Sequence, residues 1–347
     1  MLKLKHALLG AARPVARTLT AGCGRILMYH RFGLPGTFRR MPVDVFEAQI
    51  RYLSRRYRIV PLRELVASVR NGGVDGGTVA ITVDDGYEDF VQYAYPVLQK
   101  YRAPATVYLV SGFVARQLWL WFDAIHYLVC AAAPGQYRLD LGIVRTDATL
   151  GDAPSRNQLW DRLADACLPL EPPARTRVLG DLAAQLRVPL PAAPTPEYAA
   201  MSWDQARSLD PRIVELGAHT FSHPILSRCT REEQRHEIES GRRMIEGEVQ
   251  REVANFCYPN GQPGDFTTDT IELLRGMGFA SAVVAHGSMI RPGSDPFTLE
   301  RLAASDEMSE FRRLVDGITE VRLRMSASLG RSRRPAPDGE AVMRRAY

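Results

Sequence analysis

The sequence predicts an α/β fold in which parallel strands alternate with helices, arranged as a sheet or a barrel. Two short runs rich in β-branched residues, at 78–83 and 105–110, are typical of strands that are buried on both faces. Between them, residues 87–101 have a helical pattern. The resulting strand–helix–strand order is the repeating unit of parallel α/β folds.

The other predicted elements continue this alternation along the chain. Residues 25–30 form the first predicted strand, and apolar spacing predicts helices at 42–57 and 61–69. Thr230 and Glu233 have the spacing of a capping box and predict the start of a long helix. Later strands are predicted at 213–218, 253–258, 279–285 and 297–302, and further helices near 202, at 268–277 and at 310–325.

The alternation stops between residues 113 and 198, which we interpret as a mainly helical insertion. Its helical stretches around 159–186 are followed by a proline-rich segment from Val188 that is typical of a stiff linker. An aromatic patch near its start either stacks on a sugar or packs in the core of the insertion. Core packing is favoured, because large aromatic side chains dominate core energetics. The patch consists of Trp119, Trp121 and Phe122.

The two ends of the chain are expected to lie outside the domain, which is predicted to span residues 25–325. Residues 1–24 have the pattern of a short basic amphipathic helix, which would lie on a membrane surface or pack on the domain. Packing is favoured, because the segment is short and weakly apolar. Charged residues interrupt it, so it lacks the apolar core of a signal peptide. Residues 326–347 are basic and aperiodic, which predicts a disordered tail.

Composition argues against several classes of protein. A hydrophobic content of 46% over 347 residues supports a sizeable core. The net charge of +5 comes from scattered arginines that are not interleaved with aromatic residues, which argues against nucleic-acid binding. Five widely separated cysteines without a Cys-x-x-Cys pair argue against a disulfide framework or a zinc knuckle. A reducing, cytoplasmic location is expected, with peripheral contact at the inner membrane face as an alternative.

Two adjacent carboxylates, Asp84 and Asp85, directly follow the strand at 78–83. Parallel α/β folds keep their chemistry at the carboxyl ends of their strands. Neighbouring carboxylates repel each other, so one of them needs a proton or a cation; a metal held by one, with the other left as a base, satisfies both. Asp-Asp-Gly is also a common turn sequence, so the pair alone does not establish a site.

A pair of histidines, His219 and His223, follows the strand at 213–218. Imidazoles four residues apart can meet on one side of a helical turn and bind one cation. With Asp85 they complete the three-ligand set of a catalytic zinc site, which leaves a position for water, and Asp84 would be close enough to take that water's proton. The set suits Zn²⁺ and also accommodates Co²⁺, Ni²⁺ or Mn²⁺.

Four motifs, in order along the chain, resemble those of the polysaccharide deacetylases of the NodB-homology type, carbohydrate esterase family four. They are LMYHRF from Leu27, TVDDG from Thr82, HTFSHP from His219 and YPNG from Tyr258. The resemblance covers roughly residues 25–110 and 200–305. It implies a distorted (β/α) barrel with about seven parallel strands, and hydrolysis of an N-acetyl group from a glycan sugar.

The resemblance also implies roles for individual residues. Asp84 is similar in position to the family's general base. The family holds the oxyanion with a backbone N–H in the turn after the third motif's proline; here this residue is Asn260, and Tyr258 of the same turn is a further substrate-binding candidate. The metal ligands implied by the motifs are Asp85, His219 and His223.

Two positions depart from the family pattern. In many relatives an arginine opens the third motif and orients the catalytic aspartate, whereas this chain has Cys257 there. The Leu-x-His motif that normally supplies a general acid ends in Arg301, and a guanidinium cannot donate its proton at neutral pH. Arg301 could stabilise charge or pair with Asp84. His286 is then the remaining candidate acid, while His30, at the end of the first strand, is as consistent with a structural role as with a place in the site.

Three functions are compatible with these residues. The first is a metal-dependent hydrolase that removes N-acetyl groups from N-acetylhexosamine units of a surface polysaccharide or its precursor. The second is an amide hydrolase for a small non-glycan substrate, because a fold does not determine a substrate. The third is a catalytically weak glycan-binding or assembly partner, suggested by the two departures. The complete ligand set favours an enzyme. The oligomeric state is not determined by the sequence.

Overall fold

The computed structural model describes residues 13–328, with side chains described as far as Met325. We number the strands within this range in chain order. They are β1 (Arg25–Tyr29), β2 (Phe32–Gly33), β3 (Met41–Pro42), β4 (Arg58–Ile59), β5 (Thr78–Val83), β6 (Ala105–Leu109), β7 (Gly135–Asp140), β8 (Arg145–Leu150), β9 (Val214–Ala218), β10 (Asn255–Cys257), β11 (Ser281–Val283) and β12 (Leu302–Ala303).

The central sheet is parallel throughout. Seven strands form a continuous row in the order β11-β10-β9-β6-β5-β1-β12, and β4 pairs with β5 beside that row. The row curls into a half-barrel with helices around it, so the prediction of a distorted barrel with about seven parallel strands is confirmed. Every residue of β1, β5 and β6 is buried, as their apolar and β-branched sequences require.

The helices surround the sheet and fill the connections between its strands. Residues 13–19 are helical and are called α1. The others are α2 (Val43–Ser54), α3 (Leu62–Arg70), α4 (Tyr95–Tyr101), α5 (Ser111–Val114), α6 (Trp121–Ala131), α7 (Ala153–Cys167), α8 (Pro172–Leu186), α9 (Trp203–Ser208), α10 (Arg231–Val249), α11 (Thr268–Gly276), α12 (Met308–Val315) and α13 (Ile318–Ser328). No helix in the described part of the chain is long and apolar enough to cross a membrane.

The insertion between β6 and β9 is mainly helical but contains an element that the sequence did not predict. Strands β7 and β8 pair antiparallel as a hairpin, and Gly142 has a φ of 73° at its turn. The aromatic patch is largely part of the insertion core: Phe122 is buried, and the Trp119 indole donates to the Pro191 carbonyl at 2.8 Å. The rest of the insertion consists of α6, α7, α8 and their connections.

Two predicted elements near the C-terminal end were wrong in their bounds. The last strand, predicted at 297–302, is only the two-residue β12, because Asp295 and Phe297 are tied into a turn. The single helix predicted at 310–325 is two helices, α12 and α13, separated by Gly317 with a φ of 86°. The predicted capping box of Thr230 and Glu233 is present at the start of α10. The tail predicted from residue 326 lies almost entirely outside the described residues.

Candidate active site

The predicted metal ligands meet at the carboxyl ends of the central strands. Asp85 follows β5, and His219 and His223 follow β9, which lies two strands away across β6. One carboxylate oxygen of Asp85 lies 3.5 Å from Nε2 of His219 and 3.7 Å from Nε2 of His223. All three side chains are buried. Sequence motifs 134 residues apart therefore converge on one cluster of ligand atoms, which all lie within 4.8 Å of one another.

The polar atoms of this cluster fit a divalent cation. Both carboxylate oxygens of Asp85 and Nε2 of His219 are buried without a hydrogen-bond partner among the described residues. Burial, together with repulsion from Asp84, raises the pKa of Asp85, so this carboxyl needs a proton or a cation. Nδ1 of His219 lies 2.7 Å from the Cys257 carbonyl, a bond that directs the Nε2 lone pair toward the cluster. One carboxylate and two imidazoles form a ligand set that suits zinc.

The histidines reach this arrangement through an irregular loop, so the prediction that they share a helical turn was wrong. Thr220 and His223 have φ values of 66° and 59°, which no helix contains. Two backbone N–H groups of the loop, those of Phe221 and Ser222, donate to Glu237 on α10 at 3.0 and 2.8 Å. These bonds offset the strain of left-handed residues and hold the loop in the conformation that turns both imidazoles inward.

Asp84 is held by Arg301. The two guanidinium Nη atoms donate to the two carboxylate oxygens of Asp84, each at 2.7 Å, in a bidentate pair. Arg301 also donates through Nε to the Val284 carbonyl at 2.9 Å, and through its Nη atoms to Thr82 Oγ1 and Cys257 Sγ at 3.0 and 3.2 Å. With its side chain fully buried and its donors engaged in this way, Arg301 orients Asp84 as a fixed support.

The pair with Arg301 determines the charge of Asp84. Burial alone would favour the protonated carboxyl, but the charge and hydrogen bonds of Arg301 outweigh it and hold the pKa of Asp84 well below its usual range. Asp84 is therefore ionised at neutral pH, as a general base must be. Asp85 is shifted in the opposite direction, so these two neighbouring carboxylates have separate electrostatic environments.

The small side chain of Cys257 and the guanidinium of Arg301 pack against each other. Sγ of Cys257 lies 3.2 Å from an Arg301 Nη atom and 3.5 Å from a carboxylate oxygen of Asp84. A larger side chain at residue 257 would occupy the space that the guanidinium fills. Both departures from the family pattern are thus parts of one arrangement, in which Arg301, next to β12, pairs with Asp84.

His286, the candidate acid, and His30, the histidine that follows the first strand, differ in their placement. His30 follows β1 and is buried, and its Nε2 lies 3.6 Å from a carboxylate oxygen of Asp84. Burial lowers the pKa of His30 to about 4, so its imidazole is neutral at pH 7. His286 is only partly buried, and its main-chain carbonyl accepts from the Arg301 N–H at 3.2 Å. The role assigned to the His286 side chain stays a prediction; His30, for which the sequence left both roles open, lies beside the base.

The turn that carries Asn260 follows β10. Asn260 and Gly261 have φ values of 60° and 58°, and Asn260 Nδ2 donates to Asp265 at 2.5 Å. The Tyr258 ring is buried and stacks on Phe266 with centroids 4.0 Å apart, and its hydroxyl donates to the Phe297 carbonyl at 2.9 Å. Tyr258 therefore stabilises the turn through its packing on Phe266 and its hydrogen bond to Phe297. The backbone oxyanion role of Asn260 and a substrate contact from Tyr258 stay predictions.

A cleft beside Asp85 contains residues that sequence reasoning missed. The Tyr87 hydroxyl donates to Asp123 at 2.7 Å, and the Arg31 guanidinium lies 4.1 Å from the centre of the Tyr87 ring. Burial raises the pKa of Asp123 to about 6. Arg31 lies within the LMYHRF motif and Tyr87 directly follows the TVDDG motif, whereas Asp123 comes from the insertion and had no such signal. The aromatic and imidazole rings that line the cleft belong to Phe38, Tyr87, Phe122, His126, Trp160 and Tyr198.

Solved structures of similar fold include a bacterial deacetylase. The deacetylase PplD of Streptococcus pyogenes, in complex with acetate, aligns with a TM-score of 0.55 at 16% identity, over 83% of this chain and 96% of that one. IcaB from Ammonifex degensii aligns with a TM-score of 0.56 at 18% identity, over 84% and 97% of the two chains. At these identities the similarity establishes the fold.

The relatives found by sequence match this chain over shorter stretches. The poly-β-1,6-N-acetyl-D-glucosamine N-deacetylase of Staphylococcus aureus (strain MSSA476) is 34% identical over 73 residues, which are 21% of this chain and 25% of that protein. The chain thus matches about a quarter of the length of that relative. The family model described as polysaccharide deacetylase matches residues 71–137 and 167–282, together more than half of the chain. The chain belongs to the polysaccharide deacetylase family.

Proposed function

We propose that the protein is a metal-dependent hydrolase that removes N-acetyl groups from N-acetylhexosamine units of a surface polysaccharide or its precursor. The observation that carries the proposal is the pairing of an ionised, rigidly held Asp84 with the buried, cation-fitting cluster of Asp85, His219 and His223. A base beside a Lewis-acid site is the combination that amide hydrolysis by water requires.

Each residue has a place in the reaction. Asp84 would accept a proton from the attacking water, and the Arg301 pair would keep its carboxylate aimed at that water. Asp85, His219 and His223 would hold a divalent cation, most suitably zinc, with Co²⁺, Ni²⁺ or Mn²⁺ as alternatives. When bound, the cation supplies Lewis-acid chemistry, polarising the acetamide carbonyl and lowering the pKa of water.

The proton must then reach the leaving amine. Water adds to the carbonyl carbon, the carbon–nitrogen bond breaks, and acetate and a free amine are released. Because Arg301 stabilises its ionised form, protonated Asp84 is a strong acid and would readily give up the proton that it takes from water. His30 is neutral at pH 7, and its Nε2 lies 3.6 Å from Asp84, so it would accept the proton from Asp84 and pass it to the leaving nitrogen. The N–H of Asn260 would stabilise the oxyanion.

The substrate class is supported by the relatives and by the cleft. A Staphylococcus aureus relative is named for N-deacetylation of poly-β-1,6-N-acetyl-D-glucosamine. The cleft beside Asp85 is lined by aromatic side chains, of which Phe38 is 40% exposed and could stack on a sugar ring.

The test is acetate release from N-acetylglucosamine oligomers by protein reconstituted with Zn²⁺ or Co²⁺. Asp84→Asn should lose at least about 100-fold in rate, because the general base is removed. Asp147→Asn is the matched control, since that carboxylate is 80% exposed on the β7–β8 hairpin. Equal rates for Asp84→Asn and wild type would remove Asp84 as the base. Substoichiometric metal in reconstituted wild-type protein would favour a glycan-binding protein instead, and turnover of non-glycan amides alone would favour the small-molecule hydrolase.

A further inference from the structure

A cavity lined by arginines lies away from the candidate active site. It has a volume of about 500 Å³, large beside the roughly 30 Å³ that one water occupies in the liquid, and it is bounded by α1, α2 and α12. None of its lining residues belongs to the metal cluster or the aromatic cleft. The six arginines that line it are Arg13, Arg17, Arg51, Arg55, Arg56 and Arg312.

The positive charge of this cavity is poorly compensated. The one carboxylate in its lining, Asp316, lies 3.8 Å from Arg13 and accepts hydrogen bonds from the hydroxyls of Tyr52 and Tyr57. Among the described residues, no carboxylate oxygen lies within 4.0 Å of the other five arginines. The buried Nε atoms of Arg13 and Arg312 have no acceptor in the described part of the chain.

The sequence that precedes α1 does not supply the missing negative charge. Residues 1–12 contain Lys3 and Lys5 and no acidic residue. Lys3 and Lys5 thus add to the basic character of the sequence that precedes α1. Clustered cations that lack acidic partners attract an anionic ligand, and arginine binds phosphate oxygens in bidentate fashion.

Exposed apolar side chains lie on α1, which lines the cavity, and on α13, which contacts α1. Seven large apolar side chains are exposed in the described residues, and four of them belong to α1 and α13. The two helices touch, because Arg324 of α13 donates to the Leu19 carbonyl of α1 at 3.4 Å. The four exposed side chains are Val15, Leu19, Leu323 and Met325. Apolar side chains beside a basic cluster are the features with which peripheral proteins contact anionic lipid.

We propose that the arginine cavity and the exposed side chains of α1 and α13 form a docking site for an anionic lipid surface. The arginines would bind the phosphate groups of lipid headgroups, and Val15 and Leu19 would enter the interface between headgroups and acyl chains. This site would hold the enzyme at a membrane while leaving the cleft beside Asp85 to bind glycan.

The test measures co-sedimentation of the full-length protein with vesicles of phosphatidylcholine alone and of phosphatidylcholine mixed with phosphatidylglycerol. Wild type should bind the mixed vesicles, and binding should weaken as salt is raised. The triple variant Arg17→Gln/Arg51→Gln/Arg55→Gln should bind about 100-fold more weakly, since each basic residue near an anionic surface contributes roughly fivefold. The control triple Arg138→Gln/Arg177→Gln/Arg235→Gln removes the same charge from elements outside the cavity and should retain wild-type binding.

A second variant separates lipid from free anion. Val15→Ser/Leu19→Ser should weaken vesicle binding several-fold while leaving the arginines intact. Equal binding to both kinds of vesicle, or an equal loss in the control triple, would overturn the proposal. Calorimetric binding of inorganic phosphate by protein that ignores the mixed vesicles would overturn it as well, in favour of a soluble-anion site. Unchanged acetate release from soluble oligomers in each variant verifies that the fold is intact.

Discussion

The two halves of the candidate site are built in different ways. The candidate metal cluster comes from two short motifs that each follow a buried strand, so its proposed ligands lie where the strands end. The support of Asp84 comes from Arg301, 217 residues further along the chain, which reaches it because β12 pairs with β1 and β1 with β5. Ligand identity is therefore a local property of the sequence, whereas orientation of the base depends on how distant strands pair.

The largest expected effect is a loss of Zn²⁺ affinity, which should occur when one half of the site is mutated and not when the other is. Asp85→Ala removes a ligand whose two oxygens have no hydrogen-bond partner among the described residues, and should lower Zn²⁺ affinity by more than about 100-fold, since outer-shell changes alone typically cost 10- to 100-fold. Competition with a zinc-binding dye measures the affinity. Arg301→Met leaves all three ligands in place and should retain Zn²⁺ affinity within about tenfold. Equal loss of metal in both variants would contradict the division into two halves.

Arg301→Met should instead impair the base. Loss of the bidentate pair removes the orientation of Asp84, and a displacement of about 1 Å can cost on the order of 100-fold in rate. The pKa of Asp84 should also rise, because burial is no longer opposed by the guanidinium. Residual acetate release should therefore increase with pH over a range in which the wild-type base is already ionised. A pH–rate profile parallel to that of wild type would contradict this role for Arg301.

The same variant should be less stable. Breaking a buried pair leaves an unpaired charge and typically costs 3–5 kcal/mol in the free energy of unfolding. Because the folded pKa of Asp84 is depressed, the wild-type contribution is complete above the unfolded pKa of about 3.9 and is lost as the pH falls toward the folded value. Urea unfolding of metal-free protein measures it, with Arg63→Met as the control: Arg63 pairs with Glu215 but is 60% exposed, so its loss should cost at most about 1 kcal/mol.

The contrast also explains what could be predicted from the sequence. The strand at 78–83 and the ligands Asp85, His219 and His223 follow from local patterns, and the structure places them together. The sequence allowed the pairing of Asp84 with Arg301 as one of two roles for this arginine but did not decide between them. Nothing in Leu299-Glu300-Arg301 indicates which strand lies beside this segment. Asp123 was missed for a related reason: its place beside Tyr87 depends on how the insertion packs on the barrel.

The smallest predicted effect concerns the proton donor. His30 lies beside Asp84, while within the described residues the charged neighbour of the His286 side chain is Glu300. His30→Gln preserves size and hydrogen-bonding capacity but cannot carry a proton, so acetate release should fall by no more than about 100-fold, the low end for side-chain proton transfer. His286→Gln, the matched control, should change the rate by less than about threefold.

Single-turnover measurements with activated esters sharpen the assignment of the acid. The leaving group of an activated ester needs no protonation, so His30→Gln should hydrolyse such esters at nearly the wild-type rate. The reverse result, a large loss in His286→Gln that activated esters rescue, would assign the acid to His286 and leave His30 as a support for Asp84.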